Sequence, residues 1–254
     1  MKRVGLSFWM MLVIAVSATE AVAQDRDAFL AGETNDCPGC NLVDAQLQRR
    51  NLAGANLEGA DLSGASLHRA VLRNANLAEA NLNTANLNKT ILVQASFANA
   101  NLDNALLFEA DASAVDFSGA SLRSAHMGSI RLIRANLDGA DLTIADLRGA
   151  ALTDASLVGA VMTSADFFEA VLIRVDMSDA SADGANFGDA SMRGANLTDA
   201  SFVRCYMFSV DLGGADLSRT DFSEAYLTSA SFADAITEGT IFSGATMPDN
   251  RRAD

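Results

Sequence analysis

One five-residue unit decides the fold of this chain, and its clearest copies read Ala55-Asn56-Leu57-Glu58-Gly59-Ala60-Asp61-Leu62-Ser63-Gly64. We call the third residue of each unit its centre. Centres fall at Leu42 and at every fifth residue up to Met247, which makes 42 units without an insertion or a deletion. Five matches neither the helix period of 3.6 nor the strand period of 2, so neither element keeps these centres on one buried side. A short fixed period instead indicates a solenoid, in which each unit buries its apolar side chains by stacking on its neighbours.

A second regularity predicts how many units make one turn of the solenoid. Phenylalanine centres recur at intervals of twenty residues, which is four units. A four-sided coil would stack them as ladders at roughly the 4.8 Å spacing of neighbouring strands. The position two before the centre, which we call the corner, is nearly always Ala, as a crowded interior requires. The predicted ladders are Phe97 with Phe117, Phe167 with Phe187, and Phe202 with Phe222 and Phe242.

The unbroken series of Ala-Asn-Leu-x-x and Ala-Asp-Leu-x-x units resembles the pentapeptide-repeat protein family over about four-fifths of the chain. The resemblance implies an all-β fold, a right-handed quadrilateral β-helix. Its 42 units over residues 40–249 would form about ten four-unit coils, a rod on the order of 50 Å long. The handedness comes from the resemblance and not from the period.

Residues 1–23 have the pattern of a secretory signal peptide. A basic start precedes an apolar run from Val4 to about Ala18, and Ala21-Val22-Ala23 supplies a small-x-small cleavage signature before Gln24. The apolar run is too short to span a bilayer comfortably, although an uncleaved membrane anchor is the alternative. The pattern predicts a periplasmic or secreted bacterial protein with no membrane insertion after cleavage.

Residues 24–39 are predicted to cap the first coil. An open solenoid end exposes apolar side chains and unpaired backbone, so a cap is expected there. Phe29 and Leu30 are the candidate plug, on one short helical turn. At the other end the tail, residues 250–254, is polar and short. The last coil, with Phe232 and Phe242, is therefore expected to be covered either by this tail or by an end-to-end contact with a second copy.

The three cysteines have different expected roles. Cys37 and Cys40 enclose Pro38-Gly39, and in an oxidising compartment such a pair is expected to form a structural disulfide. A redox-active pair would need a thioredoxin-like context, which this sequence lacks. Asn41 in place of His excludes haem attachment, and no second Cys/His pair completes a zinc site. Cys205 stands at a corner and is expected to be a buried free thiol.

No pattern in the sequence predicts catalysis. His68 and His126 fall at outward positions three coils apart, with no Ser or Cys nucleophile paired to either. The glycines recur mostly at turn positions rather than in a phosphate-binding loop. The Asp and Asn residues before the centres lack the nonapeptide spacing of calcium-binding β-rolls and are expected to form hydrogen bonds. We therefore expect a non-enzymatic protein with no cofactor and no metal, and the net charge of −14 argues against binding nucleic acid.

Sorting the outward residues by side of the coil singles out one side, whose centres are Leu47, Leu67 and every twentieth residue to Met247. We call it the aromatic side. Counting whole units, the aromatic side carries 4 basic and 6 acidic residues, and the next side carries 6 basic and 4 acidic residues. Of the remaining two sides, one carries 1 basic and 9 acidic residues, and the other carries 2 basic and 7 acidic residues. The outward residues of the next side include the β-branched residues Val71, Ile91, Val93, Ile133, Val171 and Ile173. The outward residues of the aromatic side include Leu106, Phe108, His126, Phe168, Tyr206, Phe208 and Tyr226.

Contiguous exposed apolar surface usually marks an interface, so these seven residues are the predicted binding surface for a protein partner or for a second copy of the chain. The alternative is that aromatic and β-branched residues simply suit strand surfaces. Arg49, Arg69 and Lys89 form a separate ladder on the same side. It is either an anion site or a solvated charge row that discourages edge-to-edge aggregation.

The leading functional hypothesis is a non-enzymatic exported scaffold or protein-binding module that presents a rigid β-helical surface. The resemblance implies an alternative, because some pentapeptide-repeat proteins resemble DNA in shape and charge and bind DNA gyrase, a type II topoisomerase. The acidic sides fit that alternative. The export signal does not, and the chain lacks the interrupting loops and the C-terminal dimerising helix that such proteins tend to carry.

Overall fold

The repeats coil around one axis with four units to a turn. A computed structural model describes residues 26–254, so the predicted signal peptide lies outside the described residues. The residue before each centre forms a parallel β-bridge with the residue twenty positions further along, from Asn41 with Asp61 to Tyr226 with Thr246. The four-sided coil predicted from the phenylalanine spacing is therefore confirmed. Each side of a coil contributes a single bridging residue to its ladder rather than an extended strand.

Backbone hydrogen bonds connect every coil to the next in a regular pattern. The N–H of Leu42 donates to the carbonyl of Asp61 at 2.7 Å, and the N–H of Asp61 donates to the carbonyl of Cys40 at 2.9 Å. The same pair of bonds recurs along the ladder. Because the coils above and below satisfy these groups, the rod meets the hydrogen-bonding requirement of its backbone without long strands.

A tight turn follows the centres. The N–H of the corner residue donates to the carbonyl of the centre three residues earlier, as Ala45 does to Leu42 at 3.0 Å. The second turn residue has positive φ in every unit from Asp44 to Gly244. A turn closed over three residues with positive φ only at its second inner position is a type II turn. These turns form the four corners of each coil.

Centres and corner residues fill the interior, as predicted. Nearly all are buried, and the phenylalanines stack along the axis. Phe167 and Phe187 lie 4.8 Å apart between ring centroids, with their planes inclined by only 5°. Ring centroids are 5.1 Å apart for Phe97 and Phe117, 5.4 Å for Phe202 and Phe222, and 5.6 Å for Phe222 and Phe242. All three predicted ladders are present.

A short helix, residues 26–31, covers the first coil. Phe29 is fully buried, and the Arg50 guanidinium lies 4.6 Å from its ring centroid and donates to the Phe29 carbonyl at 2.8 Å. Leu30 is 38% exposed, so its predicted role in the plug is wrong. Neighbouring residues on a helix point about 100° apart, and only one of the two can face the coil.

Backbone hydrogen bonds between coils begin one unit before the predicted boundary at residue 40, although the first β-bridge is that of Asn41 with Asp61. The N–H groups of Cys37 and Gly39 donate to the carbonyls of Asn56 and Glu58, both at 2.8 Å, and the Cys40 N–H closes a turn onto the Cys37 carbonyl. Cys37 thus occupies a centre and Cys40 a corner. The two residues form a disulfide across this turn, with Cα atoms 5.4 Å apart. The hidden unit, residues 35–39, has Asn35 and Cys37 in place of the usual Ala and Leu, and Cys40 is the corner of the unit that follows.

The last residues fold back on the final coil. Arg252 forms an antiparallel bridge with Thr246, and the Met247 N–H donates to the Arg251 carbonyl at 2.7 Å. The last coil was expected to be covered either by the tail or by a second copy of the chain. The tail does cover it, but only along one side. Phe232 and Phe242 remain half-buried. Within residues 26–254, no helix has the length and apolar character needed to cross a bilayer.

Candidate functional site

Every exposed Phe and Tyr among residues 26–254 lies on the aromatic side. The exposed fractions are 44% for Phe108, 51% for Tyr206, 40% for Phe208 and 48% for Tyr226. His126 is also exposed, whereas Leu106 and Phe168 are half-buried. The seven predicted surface residues therefore all point outward from one side of the rod.

The structure divides these seven residues into two clusters. Leu106 bridges to His126 and shares its unit with Phe108, near the middle of the rod. Phe168, Tyr206, Phe208 and Tyr226 lie further towards the C-terminal end. Between the clusters stands a group of ion pairs, so the apolar surface is interrupted.

Arg148 forms that interruption together with two aspartates. Its Nη2 lies 2.7 Å from Asp146, and its Nε lies 3.7 Å from Asp166. The hydrogen bond from Arg148 holds the pKa of the Asp146 carboxyl below its ordinary value. One cation between two stacked carboxylates stabilises them and leaves a polar strip between the apolar clusters.

The C-terminal cluster is the larger one and consists of stacked rings. Tyr206 and Tyr226 are parallel to within 5° with centroids 5.1 Å apart. Phe168 and Phe208 are two coils apart, yet their centroids are only 6.1 Å from each other. The ring of Phe208 must therefore lie across the coil between them.

Gly188 makes this contact possible. A Cβ on Gly188 would overlap the ring of Phe208, so the missing side chain is what lets the ring lie flat on the rod. Gly128 has a similar relation to Phe108, with 3.3 Å between an ideal Cβ and Cδ2 of the ring. Reasoning from sequence missed both glycines. The sequence did contain a signal for them. Both glycines occupy the first turn position, where the backbone does not need a positive φ, so the turn itself does not explain why glycine stands there.

The fold and this surface can be compared with known proteins. The profile of the family described as Pentapeptide repeats matches overlapping segments that together cover residues 40–244. The chain belongs to the pentapeptide-repeat family. The all-β, right-handed quadrilateral β-helix predicted from the sequence is accordingly its fold.

One solved pentapeptide-repeat protein, HetL, agrees with this assignment, and two other solved structures superpose less well. HetL from the cyanobacterium Nostoc sp. strain PCC 7120, involved in heterocyst differentiation regulation, has 26% identity and a TM-score of 0.81, covering 91% of this chain and 98% of HetL. Trypsin-treated QnrB1, a plasmid-mediated fluoroquinolone resistance protein, has 16% identity and a TM-score of 0.39, with 77% and 86% covered. Rfr23 from the cyanobacterium Cyanothece 51142 has 22% identity and a TM-score of 0.26, with 70% and 92% covered. A search of curated proteins finds no match.

The other predicted features of this pentapeptide-repeat protein are less suited to binding. In the basic ladder, Lys89 is paired with Glu109 at 3.2 Å, while Arg49 and Arg69 are exposed. On the side that follows the aromatic side, ion pairs connect neighbouring coils, including Arg174 with Asp154 at 2.7 Å. These exposed pairs place charged groups among the β-branched residues of that side.

The chemically reactive residues are kept apart or buried. His68 and His126 are not brought together. Burial raises the pKa of the Cys205 thiol to about 12, and its Sγ donates to the Ala182 carbonyl at 2.9 Å. Such a thiol is not an activated nucleophile. Within the described residues, no group of three or more His, Cys, Asp or Glu side chains is arranged to hold a metal ion.

Proposed function

We propose that this pentapeptide-repeat protein is a non-enzymatic exported scaffold whose aromatic side binds a protein partner. One observation carries the proposal: the exposed Phe and Tyr side chains of the described chain are confined to one flat side of a rigid rod. Aromatic residues are enriched at the energetic centres of protein interfaces, because they offer a large apolar area at low conformational cost. The rod holds its rings in fixed positions, so little ordering is needed on binding.

The charge distribution supports the choice of this side. The aromatic side is close to neutral, with 4 basic and 6 acidic residues, whereas two other sides carry 9 and 7 acidic residues. A partner that docks on the aromatic side avoids desolvating most of the carboxylates. The acidic sides then keep the complex soluble.

A triple variant tests the surface. We expect Phe108→Ser, Phe168→Ser and Phe208→Ser together to abolish capture of the partner from the envelope fraction of the source cells. A control triple variant, Val71→Ser, Ile91→Ser and Ile173→Ser, removes apolar side chains from the neighbouring side and should retain capture. Light scattering on both variants tells whether the partner is a second copy of the chain. Unchanged capture and unchanged oligomeric state in the phenylalanine variant would refute the proposal.

A second variant tests whether binding depends on the shape of the aromatic surface as well as on its apolar side chains. Gly188→Ala adds one methyl group where the Phe208 ring now lies, so the ring must move. We expect partner binding to weaken although no apolar group has been removed. The matched control is Gly213→Ala on the neighbouring side, also at a first turn position without positive φ, where an added Cβ meets the side chains of Asp211 and Arg193 but no aromatic ring.

The gyrase-binding alternative is favoured by the two strongly acidic sides, and location separates it from the scaffold. If the protein is exported as we propose, its mature N-terminus is Gln24 and it is recovered from the periplasm or medium. N-terminal sequencing of the fractionated protein measures this directly. Cytoplasmic protein that inhibits DNA supercoiling by gyrase would favour the alternative.

A further inference from the structure

A cleft opens at the corner where the aromatic side meets the preceding acidic side, near the C-terminal end of the rod. Its volume is about 260 Å³, and its walls include Tyr206, Tyr226, Arg204, Arg252 and Thr246. A cavity of roughly 150 Å³ accommodates benzene. The cleft therefore has room for one ring with a small substituent.

Two guanidinium groups face this cleft without a carboxylate partner. Among residues 26–254, neither Arg204 nor Arg252 belongs to an ion pair. Glu224 also lines the cleft and stands one coil from Arg204 at the second turn position. At the same register Arg219 pairs with Asp199 at 2.5 Å, yet Arg204 and Glu224 stay apart. Two guanidinium groups outside any ion pair on the walls of one cleft offer a site for an anion.

The tyrosine stack supplies a planar wall. Tyr206 and Tyr226 stack at 5.1 Å, and the next residue of the same row, one coil further, is Thr246. The short Thr side chain leaves space over Tyr226 where a third ring would continue the ladder. Arg252 is bridged to Thr246 and extends over Gly244, where its Nη2 would lie 3.3 Å from an added Cβ. The guanidinium thus stands beside the open position of the stack.

We propose that this cleft binds a small planar carboxylate, an aromatic acid of the benzoate type. Its ring stacks on Tyr226 as the next member of the tyrosine ladder, and its carboxylate lies between Arg252 and Arg204. Offset stacking and charge-assisted hydrogen bonds both favour this arrangement. The site is separate from the Phe108, Phe168 and Phe208 surface proposed for a protein partner, although the two tyrosines border both.

Calorimetric titration of the full chain with benzoate tests the site. We expect saturable binding of benzoate, with weaker binding of benzamide, which lacks the charge, and of cyclohexanecarboxylate, which lacks the planar ring. Arg252→Gln and Tyr226→Leu should each weaken benzoate binding by at least about tenfold. Arg134→Gln, which removes an exposed cation from another side, should leave the affinity unchanged.

The chain has only two tyrosines, so the site can also be observed directly. Selective labelling of tyrosine gives two sets of ring resonances, which Tyr226→Leu assigns. Benzoate should shift the Tyr226 ring more than the Tyr206 ring, also in the phenylalanine triple variant, so failure of the protein-binding proposal leaves this one standing. Absence of saturable benzoate binding, equal binding of cyclohexanecarboxylate, or undiminished binding to Arg252→Gln would overturn the proposal.

Discussion

Every unit from Asp44 to Gly244 has its second turn residue at positive φ. The residues at this position differ widely in how easily they adopt that conformation. Gly139 accepts the conformation without cost, and Asn and Asp tolerate it, whereas Ile144 holds a φ of 62° with a β-branched side chain that is 60% exposed. Nothing packs tightly enough on Ile144 to offset this conformation. The neighbouring coils impose it through the ladder hydrogen bonds.

Ile144→Gly is therefore expected to stabilise the protein. A left-handed conformation costs an L-residue roughly 1–2 kcal/mol, and the greater backbone entropy that glycine loses on folding offsets about 0.5–1 kcal/mol of this, so the net gain is between about 0 and about 1.5 kcal/mol. Urea unfolding measures it. The matched control is Ile173→Gly at a first turn position, where φ is not positive and the change should destabilise. A loss of stability in Ile144→Gly would contradict the argument.

The ladder hydrogen bonds of a coil join it only to the coils before and after it, so the stability of the rod is built mainly from local stacking terms. The phenylalanine ladder shows how such a term arises. Phe222 lies between Phe202 and Phe242, at 5.4 and 5.6 Å between centroids, and is fully buried. Removing its ring leaves a cavity bounded by two further rings that stay in place.

Phe222→Ala is expected to lower the free energy of unfolding by roughly 3–5 kcal/mol. Phe222→Leu inserts the residue most common at the centres and should cost less, about 1 kcal/mol. Denaturant unfolding of both variants makes the comparison. Equal losses would contradict the cavity argument, because Leu refills most of the volume that Ala leaves empty.

The disulfide joins the first two units of the rod, so its effect should stay at that end. The chain-entropy model gives about 2 kcal/mol for a closed loop this short. We expect Cys37→Ser with Cys40→Ser to accelerate amide hydrogen exchange at Gly39 and Leu42 while Leu137, near the middle, keeps its protection. Cys37→Leu with Cys40→Ala restores the usual centre and corner residues at these two positions and should retain much of the protection. Uniform loss along the rod would contradict local stacking.

Charge is distributed over the whole molecule and determines how it responds to acid. Hydrogen bonds from Arg148, Arg174 and Arg219 lower the pKa values of the carboxyls they contact, which are Asp146, Asp154 and Asp199. Because these pKa values are lower in the folded than in the unfolded chain, the unfolded chain binds protons more readily on acidification. The stabilisation is fully present above the ordinary value of 3.8 and is lost as the pH falls through the lowered values.

The free energy of unfolding should therefore decrease between about pH 5 and about pH 2.5. A variant with Arg148→Gln, Arg174→Gln and Arg219→Gln is expected to show a smaller decrease over this range, since its carboxyls titrate closer to their ordinary value. The control replaces Arg49, Arg69 and Arg73, which take part in no ion pair among the described residues, by Gln. Identical pH profiles for the two variants would contradict the assignment of the stabilisation to these pairs.

The repeat made most of the architecture predictable. Because five-residue steps and twenty-residue phenylalanine spacing leave one way to bury the centres, the coil, the ladders and the outward position of Phe108 or Tyr206 follow from the sequence. The sequence predicted that a cap exists but not which side chain fills it. Phe29 and Leu30 are both apolar, and only the orientation of the short helix places Phe29 against the first coil. The Cys37 unit was hidden because its residues differ from the usual Leu and Ala while its geometry does not.

Periodicity thus determined by itself which residues share a side, because each residue's direction depends only on its place in the unit. The tertiary structure alone decided which neighbours on a side touch. The Phe208 ring reaches Phe168 across Gly188, Arg148 divides the aromatic side, and Arg252 folds back beside Tyr226. These contacts depend on side-chain length and on vacant space in the adjacent coil, neither of which a period encodes.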